Sequence, residues 1–128
     1  MTMQKKILKH GMKIIEVLMS NCYYHAKSSV KRWGGITDDY QKIHDWMDES
    51  KKLSTHFAHR ALRHHAEGCF AAEKEFGHTI TNSDGKAVPV RLIVEKHIVE
   101  DLGWIPSFDD WIKQIKLTSW MVKGQHKL

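Results

Sequence analysis

The sequence predicts a mainly α-helical domain of about five helices with one β-hairpin near residues 78–90. Apolar residues recur at three- and four-residue spacing along much of the chain, which is typical of amphipathic helices. Glycines follow three of these segments, at 34–35, 77 and 103, where they can end helices. The pair Asp84-Gly85 lies between two short β-prone segments and indicates a tight hairpin turn.

Four elements are predicted in the first two thirds of the chain. A helix over 22–32 ends before the glycine pair at 34–35. Thr37 then reads as the N-cap of a second helix, which has two aspartates in its first turn and continues to about Glu49. A longer helix is predicted from Leu53 to Phe76, because apolar or small residues trace one stripe along it. Two short strands near 78–82 and 86–90 follow, with Pro89 confining its strand to an edge.

Two helices are predicted after the hairpin. The first spans about 91–102 and stops at Gly103. The second begins at a capping box formed by Ser107 and Asp110 and continues to about Ile115.

Length and charge limit the domain organisation and the classes of partner. A chain of 128 residues fits one domain, and we interpret 1–18 as a basic N-terminal extension of open relevance, 19–121 as a single helical domain and 122–128 as a basic tail. The net charge of +5 comes from the two terminal segments, since 19–121 is neutral. We therefore expect no nucleic-acid binding by the domain. We also expect no membrane span, because every apolar run is much shorter than about 20 residues.

The histidines are the main functional signal. The chain has ten of them, four within HFAHRALRHH at 56–65. His44/Asp48 and His97/Asp101 are each four residues apart, so both members of a pair can face one metal ion from one helix. If the helices pack as a bundle, such side chains can converge in its core. The predicted ligands are His25, His44, Asp48, His64, His65, His97 and Asp101, with Glu67 as a further carboxylate ligand or partner.

A site of this composition suits Zn²⁺, Mn²⁺ or Fe²⁺. With an open coordination position it could activate water and hydrolyse a phosphoester or an amide. The alternative is that the histidines are structural, each hydrogen-bonded to a carbonyl or a carboxylate. Under that interpretation the protein is a non-catalytic interaction protein. Under either interpretation we expect His56, His59 and His78 to lie on polar surfaces.

Tryptophans and cysteines add two expectations. Most of the five tryptophans are expected to anchor the core, with Trp33 and Trp120 the most exposed. Exposed aromatic residues would support a protein partner or a homo-oligomer. Cys22 and Cys69 show no CxxC spacing, which favours a reducing, cytoplasmic location, and Cys69 is expected to be buried.

Several segments carry a family resemblance. They are HAKSSVKRWGG, IHDWMDESK, HRALRHHAEG, FGHTITNSDGKAVPVR, EKHIVEDLGWIPS and the closing SWM, which together cover roughly 23–121. With them the chain resembles a family of small uncharacterised proteins from bacteria and their phages, a domain of unknown function. The resemblance implies a soluble cytosolic domain that begins near Met19, and it carries over no catalytic residue. Occurrence in phages implies host interaction or anti-defence as one form of the interaction role.

Overall fold

The fold consists of helices and one two-stranded antiparallel sheet, as the sequence predicted. The computed structural model describes the backbone of residues 10–127 and the side chains of residues 22–124. The α-helices are α1 His10–Trp33, α2 Asp38–Met47, α3 Ala66–Phe76, α4 Val90–Leu102 and α5 Phe108–Ile112. Strands β1 Thr79–Thr81 and β2 Ala87–Pro89 form the hairpin, and 3-10 helices span Glu49–Lys52, Phe57–Leu62 and Ser119–Lys127. Residues 1–9 of the predicted extension and residue 128 of the predicted tail lie outside the described residues.

Helix α4 is the central element. It packs against α1, α2 and α3, and Ile93, Val94, His97 and Ile98 are fully buried on it. It starts directly after β2 and ends at Gly103, whose φ of 84° is in the left-handed region that favours glycine. His97 is therefore the polar residue on an otherwise apolar buried face of α4.

The hairpin is fixed to the turn between α1 and α2. Asn82, which is 4% exposed, donates hydrogen bonds to the Trp33 carbonyl and to the Tyr40 hydroxyl. Its own side-chain oxygen accepts from the amides of Asp84 and Lys86, which shapes the hairpin turn. Burial of Asn82 is thus matched by hydrogen bonds on both sides of its amide.

The start of α2 is capped by a residue other than the predicted one. Thr37 occupies the N-cap position, but its side chain makes no capping hydrogen bond. Asp39 instead accepts from the amides of Ile36 and Ser83 and from the Ser83 hydroxyl. One carboxylate therefore caps the helix and binds the hairpin.

The predicted long helix from Leu53 to Phe76 is wrong. A 3-10 helix ends at Leu62, and α3 begins separately at Ala66. His65 is extended, at φ −161° and ψ 171°, and its Nδ1 accepts from the Gly68 amide as an N-cap. Leu53 and Phe57, which the predicted stripe would bury, are 80% and 60% exposed. The apolar stripe was a coincidence of spacing across a break that a histidine cap stabilises.

Other predicted elements and the tryptophans are partly confirmed. Gly77, Gly103 and the Ser107–Asp110 capping box end or begin helices as expected. Trp120 is exposed as predicted, but Trp33 is buried, since it packs against Tyr40 beneath the hairpin. Cys69 is buried as expected. Among the described helices, none has the length and apolar character needed to cross a membrane.

Candidate metal centre

Helix α4 and the end of α2 supply three of the site's side chains. His97 and Asp101 lie one turn apart on α4, and Asp48 is the C-cap residue of α2. His97 Nε2 lies 3.3 Å from Asp101 Oδ2 and 3.5 Å from Asp48 Oδ1. All three side chains are almost completely buried, so the two carboxylates face the imidazole away from solvent.

His64 approaches the same two carboxylates from the break between the 3-10 helix and α3. Its Nε2 lies 3.0 Å from Asp101 Oδ2 and 3.4 Å from Asp48 Oδ1. The backbone of this break is held by α5 and the segment before it. Trp111 Nε1 donates to the His64 carbonyl, and the Ala66 amide donates to the Pro106 carbonyl.

His25 completes the cluster from α1. Its Nε2 lies 3.1 Å from Asp101 Oδ1, and its ring stacks on that of His97 with centroids 3.7 Å apart. Its Nδ1 lies 2.7 Å from Glu100 Oε1. Glu100 is in turn bound by Ser28 and Lys96, so the His25 ring is held at both nitrogens.

The spacing of these atoms fits a coordination sphere. One ligand atom from each of His25, Asp48, His97 and Asp101 lies within 4.8 Å of the others. Ligands that bind an ion at about 2.0–2.2 Å lie about 3.0 Å apart in an octahedron and about 3.4 Å apart in a tetrahedron. The four distances from His64 and His97 to the carboxylates, 3.0–3.5 Å, fall in this range.

Two of these atoms are buried without a hydrogen-bond partner among the described residues. They are Asp48 Oδ1 and His97 Nε2, which face each other across the cluster. An unsatisfied buried polar atom is costly, and such atoms are rare in folded proteins. A cation between them would satisfy both.

The electrostatics of the cluster keep its carboxylates ionised. Burial alone would raise the pKa of Asp48, but the imidazoles of His64 and His97, whose Nε2 atoms lie 3.4 Å and 3.5 Å from Asp48 Oδ1, outweigh burial and hold the pKa well below its usual range. For Asp101, the three adjacent imidazoles of His25, His64 and His97 act in the same direction and again outweigh burial. Burial opposes protonation of His25, whereas its bonds to Asp101 and Glu100 raise its pKa to about 9. Anionic oxygens are therefore available for a cation.

His44 lies behind the cluster and supports His97. Its Nδ1 is 2.8 Å from His97 Nδ1, and its Nε2 is 2.8 Å from the Ser29 hydroxyl. Burial, followed by the proximity of the His97 and His25 imidazoles, lowers the pKa of His44 to about 2. His44 is therefore neutral, and its two ring nitrogens are engaged by His97 and Ser29.

Two cationic side chains lie at the outer side of the carboxylates. Lys51 Nζ is 3.5 Å from Asp48 Oδ2, and Arg60 Nη2 is 3.7 Å from Asp101 Oδ1. Their side chains are 22% and 16% exposed, whereas His64 and His97 are fully buried. At this edge the cluster therefore borders partly exposed side chains.

The structure brings together five of the seven predicted ligands: His25, Asp48, His64, His97 and Asp101. His44 contacts the cluster through its hydrogen bond to His97 and through its ring, which stacks on that of His25. His65 caps α3 and lies 3.1 Å from the Leu62 carbonyl, and Glu67 accepts from the Phe108 amide, so both have other roles.

Sequence reasoning missed three side chains around the site. His59, expected on a polar surface, is buried and lies 2.8 Å from the Ser50 hydroxyl. Glu100, which holds His25, is adjacent to Asp101, but adjacent positions on a helix do not share a face, so the spacing gave no signal for it. Arg60 carried no signal in the sequence beyond its charge.

Comparison with known proteins places the chain in a family. Residues 20–121 match a family model described as Domain of unknown function (DUF6915). The chain belongs to this family. All five clustered side chains lie within the segment that matches DUF6915, so the candidate centre is part of the family domain. Neither the curated proteins nor the solved structures include a match to the chain.

Proposed function

We propose that this protein binds one divalent metal ion through His25, Asp48, His64, His97 and Asp101. The observation that carries the proposal is the pair of buried, unpartnered atoms, Asp48 Oδ1 and His97 Nε2, which lie 3.5 Å apart. Three imidazoles and two carboxylates form a ligand set suited to Zn²⁺, Mn²⁺ or Fe²⁺. Glu100 and His44 hold the outer nitrogens of two ligands, as supporting residues do in metal sites.

We further propose that the centre hydrolyses a substrate. Five protein ligands leave one position of an octahedral ion for water, and a divalent ion lowers the pKa of water that it binds. Asp48 also lines a groove of about 800 Å³ together with Cys22, Trp46 and Lys51. This groove gives a substrate a route to the ligand cluster from the surface.

Metal content tests the first proposal. Untagged protein is expressed with and without added zinc, manganese or iron, and metal is measured by inductively coupled plasma mass spectrometry. We expect one ion per chain in the wild type and its loss in His97→Ala, because His97 lies at the centre of the cluster. His78→Ala is the matched control, since its side chain is 91% exposed.

Three results would count against these proposals. Wild-type protein that takes up no stoichiometric metal, with a melting temperature unaffected by chelator, would refute metal binding. Equal metal content in His97→Ala and His78→Ala would refute the assigned ligands. If metal is bound, a panel of phosphoesters and amides tests hydrolysis, and no metal-dependent turnover of either class would refute the enzymatic proposal.

We propose self-association as a second role, which develops the interaction protein predicted from sequence. Apolar side chains near the carboxyl end are exposed, among them Ile115, Leu117 and Trp120. A neighbouring groove of about 330 Å³ contains Trp104, which is 56% exposed, and the acidic Asp110. The groove also contains Lys113, which balances the charge of Asp110, so the apolar side chains of the segment 115–127 in a second copy match it by their polarity.

Light scattering after size-exclusion chromatography tests this second role. We expect a concentration-dependent dimer that is weakened by Trp120→Ser and unchanged by Tyr24→Ser, another exposed aromatic residue outside this patch. A monomer at all concentrations would rule self-association out.

The cytoplasmic location is also a proposal. Its support is that Cys22 and Cys69 are both free thiols in the structure, which fits a reducing compartment. A host-interaction or anti-defence role stays a prediction from the family resemblance.

A further inference from the structure

The outer edge of the metal centre has the character of an anion site. Lys51 and Arg60 each lie beside one of the two carboxylate ligands, at 3.5 Å and 3.7 Å. Charge-assisted hydrogen bonds to carboxylates are about 2.7–2.9 Å long, so neither distance is that of an optimised ion pair. Arg60 therefore lies beside Asp101 without forming a short charge-assisted hydrogen bond to it.

Arg60 has unused hydrogen-bonding capacity. Its Nε atom is buried and has no hydrogen-bond partner among the described residues. Its guanidinium carbon lies over the ring of Phe57, 4.8 Å from the ring centroid, and this contact holds the planar guanidinium in place. A planar guanidinium with a free edge matches two oxygens of a phosphoryl group.

Both cations act on the same region. His59 lies between them in sequence and is buried beside Ser50. Ser50 directly precedes Lys51 and His59 directly precedes Arg60, so the 2.8 Å contact between Ser50 and His59 brings the two cationic segments together. One anionic ligand at this edge would therefore experience both charges.

We propose that the metal centre accepts a phosphoester whose phosphoryl oxygens are bound by Arg60, with Lys51 adding positive charge at the same edge. This inference rests on the proposed metal site, because a divalent ion there would balance the charges of Asp48 and Asp101. Arg60 can then donate to a substrate oxygen. An amide carries no charge that would require this arrangement. Of the two substrate classes predicted from the sequence, phosphoesters and amides, the edge therefore favours phosphoesters.

The proposed reaction is simple hydrolysis. The oxygen of water forms a bond to phosphorus, and the bond from phosphorus to the ester oxygen breaks. The leaving oxygen takes up one proton of that water, which yields an alcohol and inorganic phosphate. Arg60 contributes by positioning the phosphoryl group and by stabilising charge on its oxygens.

Titration of metal-loaded protein with inorganic phosphate, followed by calorimetry, tests the assignment. We expect Arg60→Gln to raise the dissociation constant for phosphate at least about tenfold, because it removes the charged guanidinium and its paired donors. Arg60→Lys keeps the charge but loses the planar guanidinium. Its dissociation constant for phosphate should lie between those of Arg60→Gln and the wild type. Arg91→Gln is the matched control, since Arg91 is 48% exposed and pairs with Glu95 on the surface of α4.

Metal content measured on the same samples separates this inference from the metal proposal. No metal in the wild type refutes the proposed function itself. Metal-loaded wild type that binds no phosphate, or Arg60→Gln that retains its metal and binds phosphate as the wild type does, overturns the anion site. Should Arg60→Gln fail to fold by circular dichroism, Arg60→Lys and Lys51→Gln decide the question, with Lys74→Gln as the exposed control for the second. Both variants binding phosphate normally would overturn the inference.

Discussion

At the scale of single residues, the hydrogen bond between His97 and His44 depends on what His97 faces. Two imidazole nitrogens can share a hydrogen bond only if one carries hydrogen and the other a lone pair. In the metal-free protein, His97 Nε2 faces only carboxylates and carries the hydrogen. Its Nδ1 must then accept from His44 Nδ1. With a metal ion on Nε2, His97 Nδ1 carries the hydrogen and donates to His44, which then donates to Ser29.

We predict that metal binding reverses the tautomers of both His97 and His44. Long-range nitrogen–proton spectra of nitrogen-15-labelled protein assign the protonated ring nitrogen of each histidine. His44 should change from a hydrogen on Nδ1 to one on Nε2 when metal is added, while the exposed His78 serves as the internal reference. The same tautomer of His44 in metal-free and metal-loaded protein would contradict both the reversal of these hydrogen bonds and the assignment of His97 as a ligand.

At the scale of elements, the start of α3 depends on the absence of a side chain at Gly68. A Cβ at this position would clash with the Arg63 carbonyl oxygen and lie 3.1 Å from Arg63 Cα. The backbone at Arg63 would have to move, and it leads directly into His64. The close approach of two backbone segments therefore positions a candidate ligand.

We predict that Gly68→Ala lowers the free energy of unfolding by about 1–3 kcal/mol or more and weakens metal binding. Gly124→Ala should have little effect, since a Cβ there meets nothing within 4 Å. Urea denaturation and metal content of the two variants test this. If Gly68→Ala has wild-type stability, the helix start has been described incorrectly.

The hydrogen bonds of Asp39 at the start of α2 predict how the stability of the fold changes with pH. Hydrogen bonds from the amides of Ile36 and Ser83 lower the pKa of Asp39 below its ordinary value. A carboxyl group with a lowered pKa stabilises the fold above the unfolded-state pKa, about 3.9, and this stabilisation is lost as the pH falls through the lower folded pKa. Asp39→Asn should therefore be less stable than the wild type near neutral pH, and the difference should shrink below about pH 4.

Urea denaturation across this pH range measures the effect of Asp39→Asn. Asp38→Asn is the control, because it removes the same charge from the same helical turn. A difference between Asp39→Asn and the wild type that does not change with pH would show that the carboxylate charge of Asp39 is not involved.

The helices and the hairpin show what local sequence can predict. Gly77, Gly103 and the Ser107 capping box act within a few residues, so their positions were predictable. The break before α3 was not, because it depends on contacts from distant segments, such as the bond from Trp111 to the His64 carbonyl. A stripe of apolar residues contains no information about such contacts.

The same limit applies to the site. The His97/Asp101 pair follows from helical spacing alone and was predictable. His25 and His64 were found because of their residue type, whereas Arg60 and Glu100 became visible only when the chain was folded. Their importance comes from distances to Asp101 and His25 that no sequence pattern encodes.

At the scale of the whole molecule, the candidate ligands come from four separate segments. They lie on α1, at the end of α2, before α3 and on α4. An ion that binds all of them binds only the folded protein, so it stabilises the fold by mass action. The buried carboxylates and imidazoles would otherwise have to satisfy one another.

We predict that metal raises the melting temperature. At a free concentration about 100 times the dissociation constant, the gain is about 2.7 kcal/mol. For a domain of this size that corresponds to an increase of several degrees, on the order of 5–15 °C. Thermal unfolding with metal or with chelator measures the shift, which should be absent in His97→Ala and unchanged in His78→Ala. A shift of equal size in both variants would place the ion elsewhere.

The wide separation of the ligands along the chain has a consequence for biosynthesis. His25 lies in the first helix and Asp101 near the end of α4, and a ribosome makes the chain from the first to the second. The coordination sphere cannot close until Asp101 has left the ribosome, when nearly the whole family domain has been synthesised. A truncated chain that lacks α4 has neither His97 nor Asp101, so metal retention would distinguish full-length protein from prematurely terminated protein.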